Sequence, residues 1–251
     1  MKPLHIFYHC CDLPGAMPII LEQMAGLERS GLANTATVYL CLTGDLTKYL
    51  DLALRFEGRD NIRLVHTTER TDLSEWPTLN HLKNVCEAAT EEIYTLYFHL
   101  KGITHLHNKG IHDWRKYMEY WHIDRWRDCV TKLDEGHDVV GTNFINMPFL
   151  GVDLKTRDWN HFSGGFWWAR SGYIKKLKKL PHPDEYVMGT VSPYTGYTID
   201  KSTWRFDHEA WSASGRPNYF EIHRSPGGNH DNKGSYPGWH YHHTYPESNY
   251  K

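Results

Sequence analysis

The chain is short of the features that define several protein classes. Its 251 residues include only five cysteines, at positions 10, 11, 41, 86 and 129. The number is odd and no pair is spaced C-x-x-C, so neither a disulfide framework nor a thiol redox or zinc motif is indicated, and reduced thiols are expected. No apolar run approaches the roughly 20 residues that cross a bilayer. The N-terminus, which soon reaches His5, His9 and Asp12, has no stretch long enough for a signal peptide. A cytoplasmic protein without a membrane span is therefore expected. Charge of one sign is lacking too: 28 basic against 30 acidic residues give a net charge of -2, which argues against a nucleic-acid partner. There is no G-x-G-x-x-G and no G-x-x-x-x-G-K-[ST], which excludes the common dinucleotide and P-loop signatures. G-x-S-x-G and H-E-x-x-H are missing as well, which disfavours an α/β-hydrolase or a zincin.

Aromatic side chains are plentiful. Ten Trp and sixteen Tyr help bring the aromatic fraction to 14%. Such residues suit a packed core, and equally a cleft that stacks on flat or carbohydrate-like ligands. The eighteen histidines would change charge between pH 5 and 7.

The first half alternates strand and helix signals. Strands are expected at 4–8, 37–42, 61–66, 93–98 and 138–141. Helical stripes are expected at 19–27, 46–56, 79–89 and 111–133. Ile93 to Phe98 is nearly continuously apolar, as in a strand buried on both faces. This order predicts an α/β domain with a mainly parallel central sheet flanked by helices. Ligands of such sheets bind beyond the carboxyl ends of the strands. That rule singles out His9 to Asp12, Thr43 to Asp45, His66 to Arg70, His99 to Gly102 and Asn143. Beyond residue 145 Pro, Gly, Trp and His become dense, and 225–251 has no periodicity.

Four segments could carry chemistry. Tyr97-Phe98-His99-Leu100-Lys101-Gly102 ends a buried strand in a cation and a glycine. Lys101 could neutralise a diphosphate while Gly102 allows close approach, or it could be a solvated strand end. His161 to Ala169 sets Ser163-Gly164-Gly165 beside Phe166-Trp167-Trp168, either as a pocket wall or as an aromatic core strand after a turn. Three consecutive aromatics cannot share one face of a strand. In Trp204 to Trp211, Asp207 and Glu209 could cap a helix or supply a general base, and Arg205 could bind phosphate or pair with Glu209. In the tail, His240 and His242, with His230, Asp231 and His243, could ligate a divalent metal or simply be exposed.

Taken together, Tyr97-x-His99-x-Lys101-Gly102, Trp114-Arg115, Tyr117-Met118, Val140-Gly141, His161 to Ala169, and Arg205 with Glu209 and Trp211 resemble a group of small GT-A-type glycosyltransferases of bacteria and large algal viruses. The resemblance covers residues 90–211, with Phe-Ser-Gly-x-Phe-Trp-Trp-Ala its most specific part. It implies a GT-A-like catalytic domain over 1–224. Residues 1–102 would bind nucleotide and 103–224 sugar and acceptor, with an irregular tail over 225–251 packing on or near the site. The implied donor is a UDP- or GDP-linked nucleotide sugar and the implied acceptor a hydroxyl of a glycan or glycoprotein. The implied location is the cytoplasm, the host cell's if the source is viral. The base and ribose would lie near His9, Asp12, Thr43 and Asp45, and the diphosphate near His99, Lys101, Gly102 and Arg205. His161, Ser163, Gly164, Gly165, Trp167, Trp168 and Trp211 would line the sugar and acceptor pocket. Glu209, with Asp207 as the alternative, would deprotonate the acceptor if the enzyme inverts. Many such enzymes carry an Asp-x-Asp metal motif where this chain has His99-Leu100-Lys101, which leaves a Mn²⁺ or Mg²⁺ requirement open. A carbohydrate-binding module, or a metal-dependent hydrolase built on the tail histidines, are the competing readings.

Overall fold

The computed structural model describes residues 1–150, 156–225 and 247–251. The chain begins with β1 (Leu4–Cys11), α1 (Ala16–Arg29), the short α2 (Leu32–Thr35) and β2 (Ala36–Thr43). Next come α3 (Leu50–Arg55), β3 (Ile62–Thr68), α4 (Trp76–Ala88) and β4 (Tyr94–His99). Helices α5 (Lys109–Glu119) and α6 (Trp126–Asp134) lead into β5 (Val139–Thr142). Then follow β6 (Phe144–Leu150), β7 (Thr156–Phe162), β8 (Trp167–Arg170), α7 (Ser171–Ile174), α8 (Phe206–Trp211) and β9 (Tyr219–His223).

Seven strands form one sheet in the order β3-β2-β1-β4-β8-β5-β9, and β6 pairs with β7 in a separate hairpin. The pairs β1–β2, β1–β4, β2–β3 and β5–β9 are parallel. Among the described strands of this sheet, β8 alone runs against its neighbours, with Trp168 in register with Leu96 on one side and Val140 on the other. The fold is α/β with a mainly parallel central sheet flanked by helices, as the sequence periodicity predicts. Strand β8 and the hairpin lie beyond that periodicity.

Both faces of the sheet are buried, and strand alternation divides the residues between them. Tyr8, Phe98 and Trp168 pack under α1, α5 and α6 against Ile20, Met24, Trp114 and Trp126. Phe7, Tyr97 and Trp167 pack on the opposite face against Leu79 and Leu82 of α4, Ile174 of α7 and Trp211 of α8. Consecutive tryptophans therefore serve two cores.

Two expected helices differ from their sequence outline. The segment 46–56 starts as a 3₁₀ turn, Leu46–Tyr49, because the Asp45 carboxylate accepts from Thr47 N at 2.9 Å and caps it; only then does α3 begin. The expected helix over 111–133 is divided by a π turn, Tyr120–Asp124. Trp168 Nε1 donates to the His122 carbonyl at 3.0 Å, which gives that carbonyl a partner outside the helical ladder at the point where the helix widens.

Trp168 is fully buried and joins sheet to helix through this bond. Trp168→Ala should lower unfolding free energy by about 3–5 kcal/mol, while Trp168→Phe should cost distinctly less. Urea unfolding of the two variants measures the difference, and equal losses would show that indole packing is not the source.

Candidate active site

Parallel register builds the floor of the site. His9 of β1 lies opposite His99 of β4, so both imidazoles emerge on the same face at the carboxyl edge. α4 covers that face, and His9 Nδ1 lies 2.9 Å from Thr78 Oγ1. The Phe166 ring meets His99 edge-on at 5.5 Å. Gly165, at φ 76°, holds its backbone so close that a Cβ there would sit 3.0 Å from His99 Cε1. A side chain at 165 would meet both unfavourable backbone geometry and this ring. Burial pushes the imidazolium of His9 down to about 4 and that of His99 to about 3, so both are neutral near pH 7.

The acidic wall comes from distant segments. Ser74 and Glu75 precede α4, and His208 and Glu209 lie on α8. Glu75 Oε2 accepts from Ser74 Oγ at 2.8 Å and lies 3.3 Å from His208 Nδ1. A carboxylate can only accept, so that nitrogen carries the proton. Burial works against the Glu75 charge, but the His208 hydrogen bond, joined by His99 and His9 once acid protonates them, overcomes it and holds the carboxyl well below its ordinary range. Glu209 is shifted the other way: burial raises its proton affinity and Glu75 adds to this, against the opposing pull of Lys101 and Arg205.

Two cations line the same cleft. Lys101 follows β4 and rests its Nζ 4.3 Å from the Trp114 ring centroid. Gly102 turns the chain at φ 82°, where a Cβ would clash with Ile111 Cγ2. Arg205 packs over Phe206 at the start of α8. Among the described residues neither Lys101 nor Arg205 has a carboxylate within ion-pair distance. These groups line a cleft of about 500 Å³ formed by His9, Glu75, His99, Lys101, Gly102, Arg205 and Glu209, with Ser74, His105 and Lys201 among its other contributors. It lies at the carboxyl ends of β1 and β4, where the strand rule places it.

Several expected positions fall elsewhere. Asp207 does not face the cleft. It is fully buried and accepts from Ser192 Oγ and from Thr195 Oγ1, at 3.2 Å, so it anchors the 192–195 loop. Thr43 is buried between strands, its hydroxyl 2.9 Å from that of Thr67. Asp45 caps the 3₁₀ turn. Asp12 pairs with Lys48 at 2.8 Å beside a separate, smaller hollow of about 250 Å³. The segment expected as the sugar and acceptor wall is core instead. His161, Ser163, Trp167, Trp168 and Trp211 are buried, and neither they nor Gly164 and Gly165 line the cleft. Strand alternation consumes the tryptophans in packing, while Gly164 backs onto Met118 and Gly165 onto His99. Glu209, the expected base, and His9, His99, Lys101, Gly102 and Arg205, expected at the donor, all line one cleft. Glu75 and His208 were not singled out from the sequence; Glu75 stands nine residues past the end of the expected third strand, too far for a search of strand ends alone. His240 and His242 lie outside the described residues. Among the described residues no cluster of three or more His, Cys, Asp or Glu is arranged to hold a metal ion.

The buried imidazoles set a pH dependence of stability. His9, His99 and also His122, pushed down to about 4 by burial, stay neutral in the native state where the unfolded chain binds protons near 6.5. Folding is therefore penalised increasingly as pH falls from 6.5 towards 4, and the penalty is absent above 6.5. The thermal midpoint should drop across that window. His99→Gln should make the drop shallower, and an unchanged slope in that variant would remove His99 from the effect.

Two solved structures are similar to this chain at low levels. One is HddC from Yersinia pseudotuberculosis, 12% identical, with a TM-score of 0.35 over 74% of this chain and 87% of that one. The other is the same protein complexed with GMP-PN, 12% identical, with a TM-score of 0.36 and the same coverage. No curated protein matches the chain. A family model described as a domain of unknown function, DUF8361, matches residues 11–214. The chain belongs to that family.

Proposed function

We propose that the protein is a glycosyltransferase that moves a sugar from a nucleotide-diphospho-sugar to an acceptor hydroxyl. The observation that carries this reading is that one cleft collects two cations, Lys101 and Arg205, and two carboxylates, Glu75 and Glu209. A diphosphate needs the first and a hydroxyl nucleophile the second. The cleft volume of about 500 Å³ falls within the range of about 300–1,000 Å³ common to small-ligand sites. The mainly parallel sheet also suits this reading better than a carbohydrate-binding module, since such modules are usually all-β.

In this mechanism the donor diphosphate lies against Lys101 and Arg205. The bond between the anomeric carbon and the diphosphate oxygen breaks, and its electron pair leaves on the diphosphate. The two cations stabilise the charge that grows there. The acceptor oxygen forms the new bond to the anomeric carbon from the opposite side, and its proton passes to the Glu209 carboxylate. Raised proton affinity makes Glu209 a stronger base than an ordinary carboxylate. His9 and His99, neutral near pH 7, line the floor of the cleft without adding charge to it.

Glu209→Gln should reduce transfer about 10²–10⁴-fold with the thermal midpoint unchanged. Transfer at the wild-type rate would remove Glu209 from the base role. Lys101→Met should weaken nucleotide-sugar binding about tenfold to a hundredfold, the worth of one charge-assisted hydrogen bond. A thermal-shift series of UDP- and GDP-sugars, with and without Mn²⁺ or Mg²⁺, identifies the donor and the metal requirement. A donor at 100 times its Kd stabilises the fold by about 2.7 kcal/mol. If no nucleotide sugar stabilises the protein, the proposal fails.

A further inference from the structure

Glu75 has a conformation and a set of partners that packing alone does not require. The residue before it, Ser74, has φ 53° and ψ -137°, a backbone region that side-chain-bearing residues rarely adopt. Such strain persists where surrounding structure enforces it, commonly at functional sites. Here it accompanies a Ser74 Oγ that donates to Glu75 Oε2. The same carboxylate oxygen accepts from His208 Nδ1. The His208 side chain is 1% exposed, and its Nε2 has no hydrogen-bond partner among the described residues. The His208 ring is therefore committed to Glu75. Glu75 itself remains 24% exposed, opening on the cleft that Glu209 also lines. His208 and Glu209 are adjacent on α8, so the group that secures Glu75 also ties it to the helix that carries Glu209.

We propose that Glu75 is a positioning residue: fixed as an anion by Ser74 and His208, it makes Glu209 the carboxylate in the cleft that takes up and releases the proton. The proposal rests on the glycosyltransferase reading for the use made of that proton, but the carboxylate pair itself does not depend on it. Two like charges sharing a poorly solvated cleft cannot ionise independently. The partner better supplied with hydrogen-bond donors keeps its charge, and the other binds the proton. Glu75 faces Ser74, His9 and Cys11 of β1, His99 and Tyr97 of β4, and His208. Glu209 faces Glu75, Lys101, Tyr97, Arg205 and His208. Lys101 and Arg205 oppose the effect of Glu75 on Glu209, so neutralising Glu75 leaves burial as the influence that raises the proton affinity of Glu209 against these cations.

The test uses the full chain with ¹³C at the glutamate carboxyls, titrated by NMR across the acid-to-neutral range. The two signals are identified by their loss in Glu75→Gln and Glu209→Gln. In Glu75→Gln the Glu209 midpoint should fall by about one pH unit, the size expected of a coupled pair. In Glu209→Gln the Glu75 midpoint should stay in place, because Glu75 titrates only after the Glu209 proton has neutralised its partner. A Glu209 midpoint that does not move in Glu75→Gln overturns the proposal, and so does a Glu75 signal that titrates at higher pH than the Glu209 signal in the unsubstituted chain. No substrate is needed, so a chain that binds no nucleotide sugar yet shows the coupling would sink the glycosyltransferase reading and leave the pair standing. With a donor in hand, Glu75→Gln should also move the acidic limb of the transfer rate to lower pH. A purely structural role for Glu75 would lower the rate at every pH and leave that limb in place.

Discussion

One strand pairing holds the site together: antiparallel β8 inserted between β4 and β5. The turn before it presses Gly165 and Phe166 against His99. Its first residue, Trp167, packs near Trp211 with ring centroids 6.3 Å apart and so seats α8, the helix of His208 and Glu209. Its second residue, Trp168, supplies the indole N–H that meets the helix carbonyl at the π turn. The strand contributes no residue to the cleft lining, yet the floor and one wall are placed by it. Its composition follows from that position. A strand buried on both faces between two others can carry large apolar side chains on each, and Trp167 and Trp168 fill opposite cores.

Electrostatics then divides the cleft. Burial works against charge, and it keeps His9 and His99 neutral near pH 7. Glu75 escapes because it is given donors, from Ser74 and His208, where Glu209 lies nearer to cations that form no close ion pair with it. Two carboxylates of one cleft are thereby separated in proton affinity by their surroundings, the arrangement that lets a fold assign distinct tasks to chemically identical groups.

The α/β class, the mainly parallel sheet and the first four strands were legible in the sequence, because hydrophobic periodicity and strand-end rules act locally. The same rules found His9, His99, Lys101 and Gly102, each close to a strand terminus. They failed at Thr43, which stands at a strand end but turns its hydroxyl to Thr67. The aromatic segment was open to two interpretations for a physical reason. Three consecutive aromatics must alternate between faces, and sequence does not say whether the second face is a ligand pocket or a second core. Glu75 and His208 were out of reach, since their meaning comes from a contact across 133 positions of chain.

Helix α8 illustrates why adjacency in sequence is a poor guide to role. Successive residues of a helix point about 100° apart, so Asp207, His208 and Glu209 necessarily face three surroundings. Asp207 turns to the hydroxyls of Ser192 and Thr195, His208 to Glu75, and Glu209 to the cleft. The first ties down the loop, the second crosses to the start of α4, and only the third is open to a ligand. Removing the charge of Asp207 would disturb the loop that supports α8, and removing His208 would strip Glu75 of its donor. Either change would reach Glu209 without touching it. A loss of activity at any of the three positions therefore does not by itself identify the base, and the burial of each carboxylate, rather than its place in the motif, decides which one can meet a substrate.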